Sequence, residues 1–521
     1  MKKTRKLLAL VMAFVMVMAM ASTAMAADTT ISVKEGDTRS YKVYQIFIGD
    51  LSGSTLSNVK WGENGKGNKG EPVPQATLDA LTGVNSKSDN EQLEEIKKYV
   101  DLTGEEFGTV SADKNLTAPT GYYLFVDQGT VADGESYSLY VVEVVGPTEI
   151  SPKVGKVTSD KKVDDEKDSI ADDPSTEAIE GEDGTDWQDS ADYDIGDEVP
   201  FKLTGSIPED YANYKTYYYA FHDEESTGLE FNSESVVVKV DGVTINTGYT
   251  IVTDTSDECT FEIVFENLKA VTAVKAGSTI TVEYTSTLTD DAVIGSKGNP
   301  NTMHLEYSNN PNWEGSGKPD TGNTPDDTVI VFTYKVIVNK VTKNPAYDAE
   351  KDPQDTGIDA DDNKEYIPLE NAGFTLYKWE LVPASAEGDE AKYDWVPVTD
   401  ELTGEHMTTF TWSGLDDGDY KLVETKTPAG YNTIDPIEFT ITAEHETESD
   451  DPKLTKLEGG NLVTGEFKAT GVITTDVVNN AGATLPETGG IGTTIFYAVG
   501  GVLVLAAIVL LVSKKRMATE E

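Results

Sequence analysis

Ionisable side chains stand on strand faces that are otherwise apolar. Lys340 follows Val336 and Val338 at alternate positions, and Glu424 follows Leu422 in the same way. Since alternate residues of a strand face one side of a sheet, both charged groups are expected to point into a core. A buried amine or carboxyl group is costly unless it pairs or reacts. The pattern therefore predicts pairing or chemistry between a lysine and a carboxylic acid inside a β domain.

A second set of this kind lies in the middle of the chain. Asp223 and Asn309 each end an alternating apolar run. Lys161 shares a strand face with Val163, which favours Lys161 over Lys162 as the inward lysine. The alternative for both sets is a solvated strand edge, the default place for such residue types.

Ordinary catalysis finds little support in the sequence. The four histidines, His222, His304, His406 and His445, are scattered, and none stands at metal-ligand spacing from another histidine or from Cys259. Nucleophile-elbow, phosphate-loop and zinc-protease motifs are missing. The sequence predicts that the protein is not an enzyme and that it has no cofactor and no metal site.

Cys259 is the single cysteine of the chain, so no intramolecular disulfide can form. The apolar run at 259–265 predicts a strand, in which a lone cysteine is most often a small buried hydrophobe.

The elements that must position these residues are mainly strands. Short runs of Val, Ile, Thr and aromatic residues, bounded by Gly, Asp, Asn and Pro, predict an all-β fold of tandem β-sandwich domains. The clearest helix is expected at 91–100, with Ser88 or Asp89 as its N-cap. Composition changes near 146–165 and 310–327 indicate boundaries. The predicted domains are 27–153, 154–331 and 332–484.

Both ends of the chain carry targeting signals. Residues 2–6 are basic, residues 7–20 are apolar, and a small-residue site ends at Ala26. This order predicts a signal peptide at 1–26, because the apolar run is too short to span a bilayer. Residues 492–512 are long and apolar enough to span, and Lys514, Lys515 and Arg516 follow them. They predict a transmembrane segment at 490–513 with a basic cytoplasmic tail at 514–521.

A pentapeptide stands directly before the predicted span: Leu485, Pro486, Glu487, Thr488 and Gly489. Pentapeptide, span and basic tail together resemble the LPXTG cell-wall sorting signal of Gram-positive surface proteins. The resemblance implies that a sortase cleaves after Thr488 and passes its acyl group to an amine. The mature protein would then be secreted and anchored to peptidoglycan in the cell wall. The alternative is a plain tail-anchored protein, since an apolar span needs no such prefix.

Residues 420–431 resemble the E-box of Cna-B-type immunoglobulin-like domains. In that family a lysine, a carboxylic acid and an asparagine form an isopeptide crosslink spontaneously. The resemblance implies that Lys340 and Asn479 are joined, with Glu424 as the promoting acid. Strand alternation does not distinguish Asn479 from Asn480, and only the family pattern favours the first.

Residues 220–223 and 305–311 resemble the central isopeptide-forming domain of major pilins. The resemblance implies a second crosslink, between Lys161 and Asn309, with Asp223 as the promoting acid. Burial can lower the pKa of a lysine and raise the pKa of a carboxyl group by up to ~3–5 units. A neutral amine could then attack the asparagine amide.

Residues 40–47 resemble the opening of the first domain of the same pilins. Lys153 lies where these pilins carry the lysine of the pilin motif, although Ser151 and Val154 replace the usual Tyr and Asn. The resemblance implies the backbone subunit of a polymerised pilus, in which Lys153 of one copy accepts the Thr488 acyl group of another. An ordinary linker lysine is the alternative.

The resemblance also implies a set of partners. They are the pilus and housekeeping sortases, other copies of the chain, minor tip and base pilins, peptidoglycan and, as a further candidate, a host surface ligand. A formal net charge of −51 argues against nucleic acid as a partner. The second functional hypothesis is a monomeric adhesin that is attached directly to the cell wall and binds a host ligand.

Overall fold

The computed structural model describes residues 28–52, 55–84, 86–129, 131–138, 140–145, 148–150, 154–165, 187–257, 259–348, 364–382, 392–462, 471–483 and 491–517. Three predicted features lie outside the described residues: the signal peptide with Ala26, the acceptor lysine Lys153, and the sorting motif at 485–489. Strands dominate what is described, and they form pairs of sheets along the chain. The predicted all-β fold of tandem sandwich domains is confirmed.

The N-terminal part combines two sheets with two helices. Its strands are β1 Asp28–Val33, β2 Ser40–Ser52, β3 Thr55–Trp61, β4 Gly108–Ser111, β5 Leu116–Pro119, β6 Gly121–Asp127, β7 Val141–Val145 and β8 Thr148–Ile150. The sheets have the orders β5-β1-β8 and β3-β2-β6-β7, with β4 paired to β2. The helices are α1 Gln75–Gly83, which the sequence did not predict, and α2 Asp89–Lys97. Ser88 caps α2 in a capping box with Glu91, so the helix begins two residues before the predicted start.

The buried cation of this N-terminal part is an arginine. Arg39 donates hydrogen bonds to Asp127 at 2.6 Å and to Glu135 at 3.0 Å. Among the described residues between 28 and 150, no lysine is buried. Because a guanidinium group keeps its proton, this ion pair offers no nucleophile.

The middle part is a sandwich of two sheets. Its strands are β9 Ser159–Asp164, β10 Trp187–Gln188, β11 Ser190–Asp192, β12 Glu198–Ser206, β13 Tyr219–Glu225, β14 Leu229–Val240, β15 Val243–Ile245, β16 Thr250–Val252, β17 Phe261–Phe265, β18 Thr279–Leu288, β19 Asn299–Ser308, β20 Thr321–Asn323 and β21 Asp327–Phe332. One sheet has the order β10-β9-β12-β18-β14-β15, and the other has the order β11-β21-β19-β13-β17-β16, with β20 paired to β19. Alternate residues of β12 and β18 are buried, which gives the sheets one shared core.

The C-terminal part is a smaller sandwich. Its strands are β22 Tyr334–Lys343, β23 Tyr366–Pro368, β24 Gly373–Val382, β25 Lys392–Pro397, β26 Leu402–Thr403, β27 Thr409–Leu415, β28 Gly418–Lys426, β29 Ile437–His445, β30 Leu454–Glu458 and β31 Val472–Asn479. Strand β22 pairs with β23, with β27 and, in parallel, with β31, so the first and last strands are neighbours. The second sheet has the order β25-β24-β28-β29-β30, with β26 paired to β24.

A third helix, α3 Ile491–Met517, ends the described chain. Within the described residues, no helix has both the length and the hydropathy that a membrane span requires. The predicted span at 490–513 overlaps α3, and it stays a prediction together with the basic tail at 514–521.

Candidate functional site

The C-terminal core brings three predicted residues together. Lys340 lies on β22 and Asn479 on the adjacent strand β31, where Asn479 pairs with Thr342. Glu424 lies on β28 in the opposite sheet and faces them across the core. Inward alternation along each strand places all three side chains in the same dry interior.

The contacts within this cluster are direct. The Lys340 Nζ contacts the Asn479 Oδ1. The Glu424 Oε1 lies 3.3 Å from the Lys340 Nζ and accepts a hydrogen bond of 2.8 Å from the Asn479 Nδ2. One carboxylate oxygen therefore touches both the amine nitrogen and the amide nitrogen.

Burial sets the electrostatics of the cluster. The side chains of Lys340 and Glu424 are fully buried, and Asn479 has no exposed surface. Removal from water lowers the pKa of Lys340, although Glu424 acts in the opposite direction. The second carboxylate oxygen of Glu424 accepts a hydrogen bond of 3.0 Å from the backbone of Ile434, which fixes its orientation. Asn480, the alternative to Asn479, is exposed.

The middle core holds a cluster of different geometry. Lys161 on β9 crosses the sandwich to contact Asp223 on β13, and both side chains are fully buried. The Tyr284 hydroxyl lies 3.0 Å from the Lys161 Nζ and donates to the Asp223 Oδ2 at 3.0 Å. It also accepts a hydrogen bond of 2.9 Å from the Asn301 Nδ2. Asn301 stands on β19, next to β13, and is fully buried.

The electrostatics of the middle cluster also follow from desolvation. Burial lowers the pKa of Lys161 and raises the pKa of Asp223. Burial, with Asp223 close by, raises the pKa of Glu225 to about 8. Three oxygens of the cluster, the Asp223 Oδ1, the Glu225 Oε2 and the Asn301 Oδ1, are buried without a hydrogen-bond partner.

Asn309 is not part of this cluster, so its predicted pairing with Lys161 is wrong. In the register of β13 with β19, Asp223 pairs with Met303, two residues from Asn301. Asn309 follows the end of β19. It lies roughly 20 Å along the chain from Met303, at about 3.3 Å per residue. Its backbone amide donates to the Asp320 carbonyl oxygen at 3.1 Å. The predicted strand face was right, and the position along the strand was not.

The geometry agrees with the predicted choice of Lys161 over Lys162 as the inward lysine. Lys161 is fully buried, whereas Lys162 is partly exposed and pairs with Asp189. Three residues of the cluster were missed by sequence reasoning: Tyr284, Asn301 and Glu225. Asn301 shares the alternation that indicated Asn309, so the usable signal was present, but choosing between them requires the strand register.

The prediction for Cys259 is also wrong. The residue precedes β17 instead of lying in a strand, and it is partly exposed. Its Sγ lies 3.7 Å from the Nδ1 of His222, so a histidine and the cysteine do meet in the fold. Burial and the neighbouring Asp257 raise the pKa of the Cys259 thiol to about 12, which leaves it protonated at neutral pH.

Fold and clusters together define a class: a tandem β-sandwich protein with two buried groups of lysine, acid and asparagine. Family models agree. Residues 195–311 match the family described as Gram-positive pilin backbone subunit 2, Cna-B-like domain, and residues 355–453 match a prealbumin-like fold domain. Residues 477–518 match the LPXTG cell wall anchor motif. The resemblance to LPXTG-anchored backbone pilins is confirmed, and the protein is a cell-wall-anchored surface protein.

Two comparisons involve a protein of Streptococcus pyogenes serotype M6. The chain is 24% identical over 367 residues to its trypsin-resistant surface T6 protein, and the match spans 62% of this chain and 65% of that protein. The solved structure of the T6 backbone pilin has a TM-score of 0.50 at 18% identity, covering 88% of this chain and 98% of that one. This likeness supports the tandem β-sandwich fold.

We expect Glu225 to make the middle domain less stable as pH rises. Its folded pKa of about 8 lies above the ordinary 4.5, so the folded state binds the proton more tightly between these values. The free energy of unfolding should therefore fall from pH 5 to pH 8, and Glu225→Gln should remove about 3–4 kcal/mol of that fall. Urea unfolding at both pH values measures it.

The matched control is Glu283→Gln, which changes a partly exposed carboxylate paired with Lys239 on the same sandwich. This variant should keep the pH dependence of the parent chain. Equal slopes in the parent and in Glu225→Gln would contradict the assignment of the buried proton to Glu225.

Proposed function

We propose that the protein is the shaft subunit of a covalently polymerised, cell-wall-anchored pilus, and that this pilus supports adhesion. One observation carries the proposal, and it occurs in two successive domains. A buried lysine amine lies in one cluster with a carboxyl group and an asparagine amide. Such a cluster supports a single self-modification instead of turnover, so the protein acts as structural material and not as an enzyme.

In the C-terminal domain, the unprotonated amine of Lys340 attacks the side-chain carbonyl carbon of Asn479. Glu424 takes a proton from the attacking nitrogen and delivers one to the leaving nitrogen, because its Oε1 reaches both at 3.3 Å and 2.8 Å. The carbon–nitrogen bond of the primary amide breaks and ammonia leaves. A secondary amide then joins the two side chains, and no cofactor takes part.

In the middle domain, Asn301 replaces Asn309 as the proposed partner of Lys161. Asp223, whose pKa is raised by burial, serves as the promoting acid. In its protonated form it can donate to the Asn301 Oδ1, which otherwise has no hydrogen-bond partner, and so polarise the carbonyl group for attack. Tyr284 connects the amine, the carboxyl group and the amide through one hydroxyl.

The two crosslinks would close the two sandwiches in different ways. Lys161 and Asn301 stand in opposite sheets, so their amide would bridge the sandwich. Lys340 and Asn479 stand on adjacent strands 139 residues apart, so their amide would join the first strand to the last. Each closed loop of about 140 residues contributes about 5 kcal/mol in the chain-entropy model for crosslinks.

Tension along a pilus gives these bonds their mechanical role. Force would enter a subunit at the acceptor lysine, proposed as Lys153, and leave at Thr488. Both crosslinked domains lie between these points. The N-terminal domain lies outside the tension path, and it has Arg39 with Asp127 where the other domains have a buried lysine with an acid.

The sorting motif supports the proposed assembly. A pilus sortase would cleave after Thr488 and join that residue to Lys153 of the next copy, and a housekeeping sortase would join the last copy to peptidoglycan. Minor tip and base pilins would complete the fibre, and the host surface ligand stays a further candidate partner.

The crosslinks should be visible as lost mass. Residues 27–488, purified intact, should weigh less than their sequence by the mass of two ammonia molecules. Glu424→Ala and Asp223→Ala should each restore the mass of one, because each removes the group that moves the protons. Intact-protein mass spectrometry measures both effects.

Two asparagine variants distinguish the partners of Lys161. Asn301→Ala should restore one ammonia, and the matched control Asn309→Ala should restore none. The reverse result would make Asn309 the partner of Lys161. A parent mass equal to that of the unmodified sequence would contradict both crosslinks.

Polymerisation is tested on the cell wall. Extracts boiled in detergent and blotted should show a ladder of high-mass species, which Lys153→Ala abolishes while the monomer is still folded and exported. Lys156→Ala, on the same segment, should leave the ladder intact. A persistent ladder in Lys153→Ala would assign another acceptor, and a single band in the parent strain would favour the monomeric adhesin.

A further inference from the structure

A group of metal-binding side chains lies on the outer face of the middle domain. His222 lies between two core residues of β13, Phe221 and Asp223, so its side chain points to the other side of the sheet. The loop before β17 carries Asp257 and Cys259, and it passes over this face. The sequence separates the histidine from the cysteine by 37 residues, and strand pairing brings them together.

The distances from the His222 Nδ1 to the other two ligand atoms are close to those of a tetrahedral metal site. The Nδ1 of His222 lies 3.2 Å from the Asp257 Oδ2 and 3.7 Å from the Cys259 Sγ. One ligand atom from each of the three residues lies within 4.8 Å of the others. Zinc bonds of ~2.1 Å to nitrogen and oxygen and ~2.3 Å to sulfur place tetrahedral ligand atoms about 3.4–3.6 Å apart. A zinc ion therefore fits with only small movements.

The donor types select the metal. A thiolate, an imidazole and a carboxylate together favour zinc, whereas calcium and magnesium prefer oxygen ligands alone. The group therefore differs from a simple cluster of surface acids. Three protein ligands also leave one tetrahedral position for water.

The histidine is held as a ligand would be. His222 is 8% exposed, and its Nε2 lies 3.5 Å from the Glu306 Oε2. Glu306 is fixed in turn by Lys318 at 2.6 Å and Thr321 at 2.7 Å. In the metal-bound form the ring proton would lie on the Nε2, facing the Glu306 carboxylate, and the Nδ1 lone pair would bind the metal. His304 stacks on the His222 ring with centroids 4.9 Å apart, which fixes the ring plane.

Two hydrogen bonds link Cys259 to Asp257 and Thr255. The Asp257 Oδ1 accepts a hydrogen bond of 3.2 Å from the Cys259 backbone amide, and the Cys259 carbonyl oxygen accepts one of 2.6 Å from Thr255. These bonds turn the carboxylate and the thiol towards the same point, beside the His222 Nδ1.

We propose that His222, Asp257 and Cys259 bind one zinc ion on the outer face of the middle domain. The thiol proton passes to solvent when sulfur bonds the metal, and water completes the tetrahedron. Bound zinc would tie the loop before β17 to β13, and it would protect the single thiol of a cell-surface protein from oxidation.

Cobalt(II) gives a direct test, because a thiolate bound to cobalt produces a charge-transfer band in the near ultraviolet. The chain contains one cysteine, so such a band can report only this site. The purified mature chain, stripped with a chelator, should bind one equivalent of cobalt with this band, and one equivalent of zinc should displace it. Absence of the band would overturn the proposal.

Variants assign the ligands. Cys259→Ser should abolish the band, and it should weaken zinc binding, measured against a chromogenic chelator, by at least the ~100-fold that loss of an outer hydrogen-bond partner can cost. His222→Gln should weaken zinc binding similarly, whereas His406→Gln, at an exposed residue paired with Glu370, should not. Circular dichroism verifies folding of each variant. If Cys259→Ser bound zinc as tightly as the parent chain, the proposal would be overturned, even if cobalt bound to other residues of the chain.

Discussion

A lysine amine enclosed in an apolar sandwich is the constraint on which the rest of this structure depends. Lys161 and Lys340 have no exposed surface, and burial disfavours their charged forms. Each amine lies beside a carboxyl group and an asparagine amide. Such an arrangement is costly as an ion pair, because desolvation offsets the Coulomb attraction. It becomes favourable when the amine is consumed in an amide bond, which carries no charge.

The two domains meet this constraint with different topologies. In the middle domain the amine comes from one sheet and the amide from the other, and Tyr284 fills the space between them. In the C-terminal domain the amine and the amide come from parallel neighbouring strands, and the acid reaches across the core. In both domains the proposed bond would hold a lysine of the first strand, where a pull on the chain would first separate strands. In the N-terminal domain the described residues bury Arg39 against Asp127, and they bury no lysine.

The sequence predicted which residues face the core, but it did not predict which of them meet. Alternation on strand faces indicated Lys340 and Glu424, because a period of two is fixed by local geometry. It did not separate Asn301 from Asn309, which share a face, because their distance from Asp223 depends on how β19 pairs with β13. The meeting of His222 with Cys259 was missed for the same reason, since it depends on β13 pairing with β17. Local period can therefore be predicted from the chain, whereas strand register depends on the whole fold.

Branched peptides test the central claim most directly. Digestion of the mature protein followed by tandem mass spectrometry should yield one branched peptide that joins Lys161 to Asn301 and another that joins Lys340 to Asn479, each lighter by one ammonia. Recovery of both lysines in linear peptides with free side chains would contradict the account.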